Sequence, residues 1–104
     1  MTFHDNKLWQ DAYVAALDVA ESFDGASSEV AVAAKQTSLT ILATIADSLT
    51  RRDRREAEVK MRDAGGSVAA MRSLLSVAWA QNQLTDDQFG KVDGAYEALS
   101  AKLK

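Results

Sequence analysis

Residues 44–67, TIADSLTRRDRREAEVKMRDAGGS, decide the fold of this chain. The stretch predicts the end of one helix and the start of the next, joined by a turn that places four arginines around Asp53. Asp53 and Glu56 form a D-x-x-E version of the capping box, which predicts a helix start at Asp53. Small and apolar residues then recur at alternating spacings of four and three, an unbroken heptad seam. They are Ala57, Met61, Ala64, Val68, Met71, Leu75 and Ala78.

The same periodicity extends outward to four helices in total. A first helix is predicted over residues 5–23 and ends at Gly25, since glycine suits the left-handed position after a helix. A second is predicted over residues 28–49. The third ends near Asn82, and Thr85 with Gln88 forms another capping box that opens the last helix. Short loops favour neighbours that run in opposite directions, so we expect an all-α, antiparallel, up-down-up-down four-helix bundle.

Composition places this bundle in one domain, residues 1–104. The chain has no proline, which favours long helices, and no cysteine, which excludes disulfides and thiolate metal sites. The N-terminus carries no signal-peptide pattern, and no window approaches the ~18 apolar residues of a membrane span. We therefore expect a cytoplasmic protein with no membrane partner.

The second helix is apolar around much of its circumference, which is typical of a helix buried on more than one side. Four helices in so short a chain bury one face each, so the surplus predicts a subunit interface. Its candidate residues are Leu39, Leu42, Ile45 and Leu49.

Several motifs fall in a recognisable order along these helices. Trp9-Gln10-Asp11-Ala12 lies on the first helix, Gln36 and Thr44-Ile45-Ala46-Asp47-Ser48 on the second, Ala64-Gly65-Gly66-Ser67 on the third, and Leu84-Thr85-Asp86 opens the fourth. In these features the chain resembles the small four-helix-bundle proteins encoded by intervening sequences of bacterial large-subunit ribosomal RNA genes. Their relatives include the accessory variability proteins of diversity-generating retroelements.

The resemblance covers residues 7–103 and implies a ring-like homopentamer with a role as an accessory protein. It also implies RNA, DNA or a reverse-transcriptase-like protein as partner. The sequence departs from the family at five places. It lacks the two arginines that follow the glutamine, the asparagine and glycine of the second-helix motif, and a glutamate after the third-helix motif. The residues at those places are Ser38, Leu39, Thr44, Ser48 and Ala70.

The dense charge lies at residues 51–62, where six basic groups face three acids in a chain of net charge −3. Arginine offers a planar charged fork that suits phosphate. The candidate nucleic-acid-binding residues are Arg51, Arg52, Arg54, Arg55, Lys60 and Arg62. The alternative is a solvated turn, with Arg51 and Arg52 at the negative end of the second helix and the next two arginines paired with Glu58 and nearby acids. We expect no aromatic residue near the cluster, which argues against binding of single strands by stacking.

Gly65 and Gly66 lie inside the third helix, where each glycine lowers helix stability by about 1 kcal/mol relative to alanine. We attribute them to close approach of a neighbouring helix, which makes Ala64, Gly65, Gly66 and Ser67 predicted packing residues, with a ligand pocket or kink as the alternative. Asp47 is the one acid in an apolar part of the second helix. It is either buried and paired with a basic group of a neighbouring helix or marks the solvent-exposed edge of its own helix, and we favour a structural hydrogen bond. The aromatic side chains are assigned to packing.

Nothing in the sequence predicts a reaction, since no nucleophile–base set, metal-ligand pattern or cofactor motif is present. His4, in a predicted frayed N-terminus, has no partner arrangement. We therefore expect no catalytic residue, no metal and no cofactor, and a non-enzymatic oligomeric accessory or scaffold protein that binds nucleic acid or a nucleoprotein. A protein-interaction module without nucleic-acid affinity is the alternative, favoured by the net acidity and the missing arginines of the second helix.

Overall fold

The computed structural model describes residues 2–103 and is all-α. Its helices are α1 (Lys7–Ser22), α2 (Glu29–Thr50), α3 (Arg54–Ala80) and α4 (Asp86–Lys102), with a short 3-10 helix, Phe3–Asp5, before α1. Within residues 2–103 no strand is formed. The prediction of four helices is confirmed, and each predicted boundary lies within about two residues of the observed one.

The helix ends follow the side chains that cap them. Thr85 and Gln88 form both bonds of the predicted capping box at the start of α4. At α3, Asp53 accepts the backbone N–H of Glu56 at 3.0 Å, which is half of the predicted box. The Glu56 carboxylate instead lies 3.8 Å from Arg51 Nη1. Gly25 has φ +72° just after α1, which confirms the predicted left-handed position.

The helices surround one hydrophobic core. α1 and α3 each pack against both α2 and α4. The heptad seam of α3 supplies the centre of this core, as predicted, and its outermost members Ala57 and Met61 are half-buried. The buried seam residues are Ala64, Val68, Met71, Leu75 and Ala78, and α4 with its C-cap adds Val92, Tyr96, Leu99 and Leu103.

Contacts between helix ends show which termini meet. Phe3 and Lys7 line a cleft together with Leu49 and Thr50, so the start of α1 lies beside the end of α2. Lys102 Nζ donates to the Asp11 carboxylate, which joins the end of α4 to the start of α1. We call the end of the bundle at which these residues lie the arginine end, because the turn of residues 51–53 connects α2 to α3 there. At the opposite end, Ser28 hydrogen-bonds the side chain of Gln83.

Two expectations about packing are corrected by the structure. Ile45, a predicted interface residue, is buried in the core of its own chain, whereas Leu39 is 61% exposed and Leu42 and Leu49 are half-buried. The reason is that small residues, among them the buried Ser38 and Ser48, complete the face of α2 that packs on the core. Leu39 does not lie on that face.

The glycine pair of α3 does not mark a close helix approach within the chain. Ala64 is fully buried, but a Cβ at Gly65 or Gly66 would meet no heavy atom of another helix within 4 Å. Gly66 faces solvent, on the side of α3 opposite the heptad seam. The packing role predicted for Ala64, Gly65, Gly66 and Ser67 therefore belongs to Ala64.

The predicted frayed N-terminus is also corrected. Thr2 caps the helix Phe3–Asp5 through a capping box with Asp5. Asn6 then caps α1 by accepting the N–H groups of Leu8 and Trp9. Among residues 2–103, no helix combines the length and the apolar character needed to cross a membrane.

Candidate nucleic-acid interface at the arginine end

The arginine turn is built by the capping of two helices. Arg51 is the C-cap of α2, and its N–H donates to the carbonyl of Ser48 at 3.3 Å. Ser48 Oγ donates to the carbonyl of Ala57 at 2.7 Å, a contact that ties the last turn of α2 to the first turns of α3. Because both flanking backbones are held in this way, residues 51–55 form a defined surface of basic groups.

Three of the six predicted cations are paired with acids. Arg51 donates through Nε and Nη2 to the two carboxylate oxygens of Asp47, at 2.8 and 3.2 Å. Lys60 of α3 lies 3.7 Å from the same carboxylate, and Arg54 Nε lies 3.6 Å from Glu58. These pairs match the alternative expectation of a solvated, ion-paired turn.

Asp47 has the structural role predicted for it, although its side chain is 38% exposed rather than buried. The hydrogen bond from Arg51, with the charges of Arg51 and Lys60, lowers its pKa below the usual value of 3.8. The same bond raises the pKa of Arg51. Asp47 therefore orders Arg51 and links α2 to α3 at this end.

The other three cations, Arg52, Arg55 and Arg62, are exposed. For none of them does a carboxylate of the described residues lie within 4.0 Å. Arg55 and Arg62 are two helical turns apart on the outward face of α3, with the exposed Val59 between them. Within residues 2–103, these three guanidinium groups therefore keep unfilled donors.

One cleft relates an aromatic residue to the end of α2, although none of the six predicted cations lines it. Phe3 lines the cleft at the arginine end, which has a volume of about 790 Å³ and ends at Thr50, the residue before Arg51. A cluster of aromatic rings begins there. Phe3 stacks on His4 and Trp9 stacks on Tyr13, with ring centroids 4.2 and 5.2 Å apart, and Phe3 meets Trp9 edge-on at 5.3 Å. These residues lie some forty positions before the turn in the sequence. Their place in the molecule relative to the turn therefore depends on how the helices pack.

The remaining aromatic residues behave as packing groups. Phe23 and Tyr96 are fully buried in the core. Trp79 stacks on Phe89 at 4.4 Å at the end opposite the arginine turn, and its Nε1 donates to Asp86 at 2.8 Å. Burial raises the pKa of Tyr96, whose hydroxyl has no hydrogen-bond partner among the described residues.

Within the part of the chain that the structure describes, no three His, Asp or Glu side chains are grouped so that they could hold a metal ion. Arg72 is a structural cation, since it donates to both oxygens of Asp93 at 2.9 and 3.0 Å and thereby joins α3 to α4. What the arginine end offers chemically is therefore recognition, through charged donors and flat apolar rings. Comparison of the chain with protein-family models and with curated proteins gives no match.

Proposed function

We propose that this chain is a non-enzymatic, oligomeric accessory or scaffold protein that binds nucleic acid or a nucleoprotein partner through its arginine turn. The observation that carries the proposal is the set of three exposed guanidinium groups, Arg52, Arg55 and Arg62, without an acidic partner among the described residues. Free guanidinium forks suit phosphate oxygens, whereas the ion-paired cations nearby are already neutralised.

The bundle in this proposal is antiparallel, with up-down-up-down topology. Support comes from two observations. Phe3, before α1, lines one cleft with Leu49 and Thr50 at the end of α2, and Lys102 at the end of α4 donates to Asp11 near the start of α1. We propose self-association through the outward face of α2, in a homopentameric ring as the family resemblance implies. The support is the exposure of Leu39, with the half-buried Leu42 and Leu49 on the same helix. A ring would repeat the arginine turn around one rim, and weak contacts would add through multivalency.

The nucleic-acid part of the proposal is tested by salt-dependent affinity. Fluorescence anisotropy with a labelled structured RNA should show a Kd that rises with salt, since binding releases counterions. Replacing Arg52, Arg55 and Arg62 together by alanine should weaken binding and reduce the slope of log K against log salt by about 2 to 3. Lys91→Ala, which removes an exposed cation at the opposite end, is the matched control and should change neither quantity. An affinity indifferent to the triple change contradicts the proposal.

Self-association is tested by light scattering. Leu39→Asp should reduce the mass toward that of one chain and keep the helical circular dichroism, because this side chain lies outside the core. Ile45→Asp should instead unfold the protein, since it places a charge in the core. A monomer mass for the unmodified protein refutes the oligomer.

A protein-interaction module without nucleic-acid affinity is the second candidate. It is favoured by large apolar side chains at the surface of the single chain, namely Tyr13, Val14, Leu17, Val32, Leu39, Val59, Val77 and Trp79. Capture of a defined protein partner that carries no nucleic acid, with no nucleic-acid affinity of the purified protein, would favour this candidate over the first.

A further inference from the structure

An open groove runs between α1 and α4, on a face of the bundle that none of the six predicted cations lines. It has a volume of about 320 Å³. Two ion pairs join the helices across it, Lys102 with Asp11 and, two turns further along α1, Lys91 with Asp18 at 3.5 Å. The apolar part of the groove lies between these pairs. The lining residues are Asp11, Val14, Ala15, Ala95, Ala98, Leu99 and Lys102.

The two walls of the groove differ in the size of their side chains. On α1, Val14 is 54% exposed and Leu17, one turn further on, is 52% exposed. On α4, Gly94 and Ala98 are exposed and Ala95 is half-buried. A helix laid on this face could therefore approach α4 closely while its own apolar side chains pack against the two large residues of α1. Helices that bind in grooves dock through such an apolar face.

The charges at the two ends of the groove have opposite balance. At the arginine end, the Asp11 carboxylate accepts from two exposed lysines, Lys7 and Lys102. At the other end, Lys91 pairs with one carboxylate, and each helix adds a further acid one turn away. These acids are Asp18, Glu21 and Asp87. The groove is therefore positive at the arginine end and negative at the opposite end.

We infer that this groove binds an amphipathic helix of another protein, parallel to α1, with acidic residues in its first turn and basic residues in its last. Such a helix places its acids beside Lys7 and Lys102 and its bases beside the carboxylates of the opposite end. Helices favour this distribution because the charges complement the helix dipole. Apolar residues at spacings of three and four between the two turns pack on Val14 and Leu17. This partner and its site are additional to the function proposed for the arginine turn.

Other occupants fit the groove less well. Nucleic acid meets an apolar floor in the middle and a negative end that repels phosphate. In a second copy of the chain, α1 has no acid in its first turn and no base in its last. The α4 helix of a second copy has both, but the uncharged residues that it exposes between them are glycine and alanine, too small to fill the groove.

The test uses the full chain and two fluorescein-labelled peptides of about 18 residues, since shorter helices are marginal in water. The first peptide carries leucine at spacings of three and four, glutamate in its first turn and lysine in its last. The second peptide exchanges the glutamates and lysines. Fluorescence anisotropy at a low peptide concentration gives each Kd, and the first peptide should bind more tightly.

The place of binding is tested by a charge in the groove. Val14→Asp should weaken binding of the first peptide by about tenfold or more, because it puts a carboxylate against the leucines. Val77→Asp, at an exposed valine of α3 outside the groove, is the matched control and should leave binding unchanged. Leu39→Asp should likewise leave it unchanged, which separates this groove from the outward face of α2.

The direction of the bound helix is tested by reversing the polarity of α1. Lys7→Glu combined with Glu21→Lys, both at exposed positions, should invert the preference, so that the second peptide binds more tightly. The ratio of the two affinities is compared between the unmodified protein and the double variant, which cancels any difference in helicity between the peptides. An unchanged ratio overturns the parallel orientation.

A second readout uses the absence of cysteine from the chain. Ala98→Cys introduces a single thiol in the groove, and the first peptide should slow its reaction with a thiol reagent. Ala69→Cys, at an exposed position of α3, is the control and should react at the same rate with and without peptide.

Three results overturn the proposed groove. They are failure of the first peptide to bind, an equal loss of affinity in Val14→Asp and Val77→Asp, and protection of the Ala98→Cys thiol by rising protein concentration alone, which identifies a second copy as the occupant. None of these results affects the arginine turn, because Val14→Asp should leave the affinity for structured RNA unchanged.

Discussion

Gly65 and Gly66 lie in the middle of α3, eleven or more residues from either end, where glycine destabilises a helix relative to alanine by about 0.8–1.0 kcal/mol. Replacement by alanine normally risks a clash, but here a Cβ at either position would meet no heavy atom of another helix within 4 Å. Each substitution should therefore raise the free energy of unfolding by about 1 kcal/mol, and the double substitution by up to about 2 kcal/mol. For a domain of this size, 1 kcal/mol corresponds to about 4–8 °C in Tm.

The assay is urea unfolding followed by circular dichroism at 222 nm, with an unchanged m-value required so that the midpoint reports stability. Ala69→Gly, at an exposed position in the same helix, is the matched control and should lower stability by about the same amount. Gly25→Ala should also destabilise, by about 1–2 kcal/mol, because φ +72° is strained for a residue with a Cβ.

A loss of stability in Gly66→Ala would refute this reasoning. It would show that something packs closely on the glycine pair, as the sequence motif predicted, and the packing element would then have to come from another subunit. Light scattering on the same variant separates the two cases, since a clash with a neighbouring subunit would also reduce the assembled mass.

Three further predictions concern stability. Tyr96→Phe should raise the free energy of unfolding by about 1 kcal/mol in urea titrations, since it removes a buried hydroxyl that has no hydrogen-bond partner among residues 2–103, while Tyr13→Phe at the surface should have little effect. Ser48→Ala should lower it by about 1 kcal/mol because the buried bond to the carbonyl of Ala57 is lost, and an unchanged urea midpoint would contradict that contact. Asp11, bonded by Lys102 and Lys7, and Asp47, bonded mainly by Arg51, have folded pKa values below 3.8. The stabilisation by these two carboxylates is present above their pKa in the unfolded chain and is lost as the pH falls below about 4. In a series of Tm measurements between pH 7 and 2.5, Tm should therefore fall less steeply for Asp47→Asn than for the unmodified protein.

The helices and their ends were predictable from the sequence because their causes are local. The alternating spacing of four and three fixes which face of α3 is buried, and Ala64, Val68, Met71, Leu75 and Ala78 all lie in the core. Thr85 with Gln88 marks the start of α4, and Gly25 the end of α1, because capping and left-handed geometry involve residues a few positions apart.

The face of α2 could not be predicted in the same way. Its apolar residues surround the helix, and small polar residues complete the buried stripe, so periodicity does not separate Ile45 in the core from Leu39 at the surface. The glycine pair of α3 was misread for a related reason. A sequence motif carries no information on whether another helix lies within reach of a missing Cβ.

The basic turn, its charge and the two flanking helices follow from the amino-acid sequence alone, since they depend on neighbouring residues. Helix packing was needed to show that Lys60 of α3 shares the Asp47 carboxylate with Arg51, because that pair joins two helices. Helix packing also placed Phe3 in one cleft with Leu49 and Thr50, residues more than forty positions away in the sequence. No pattern of neighbouring residues encodes that contact, because it joins the segment before α1 to the end of α2.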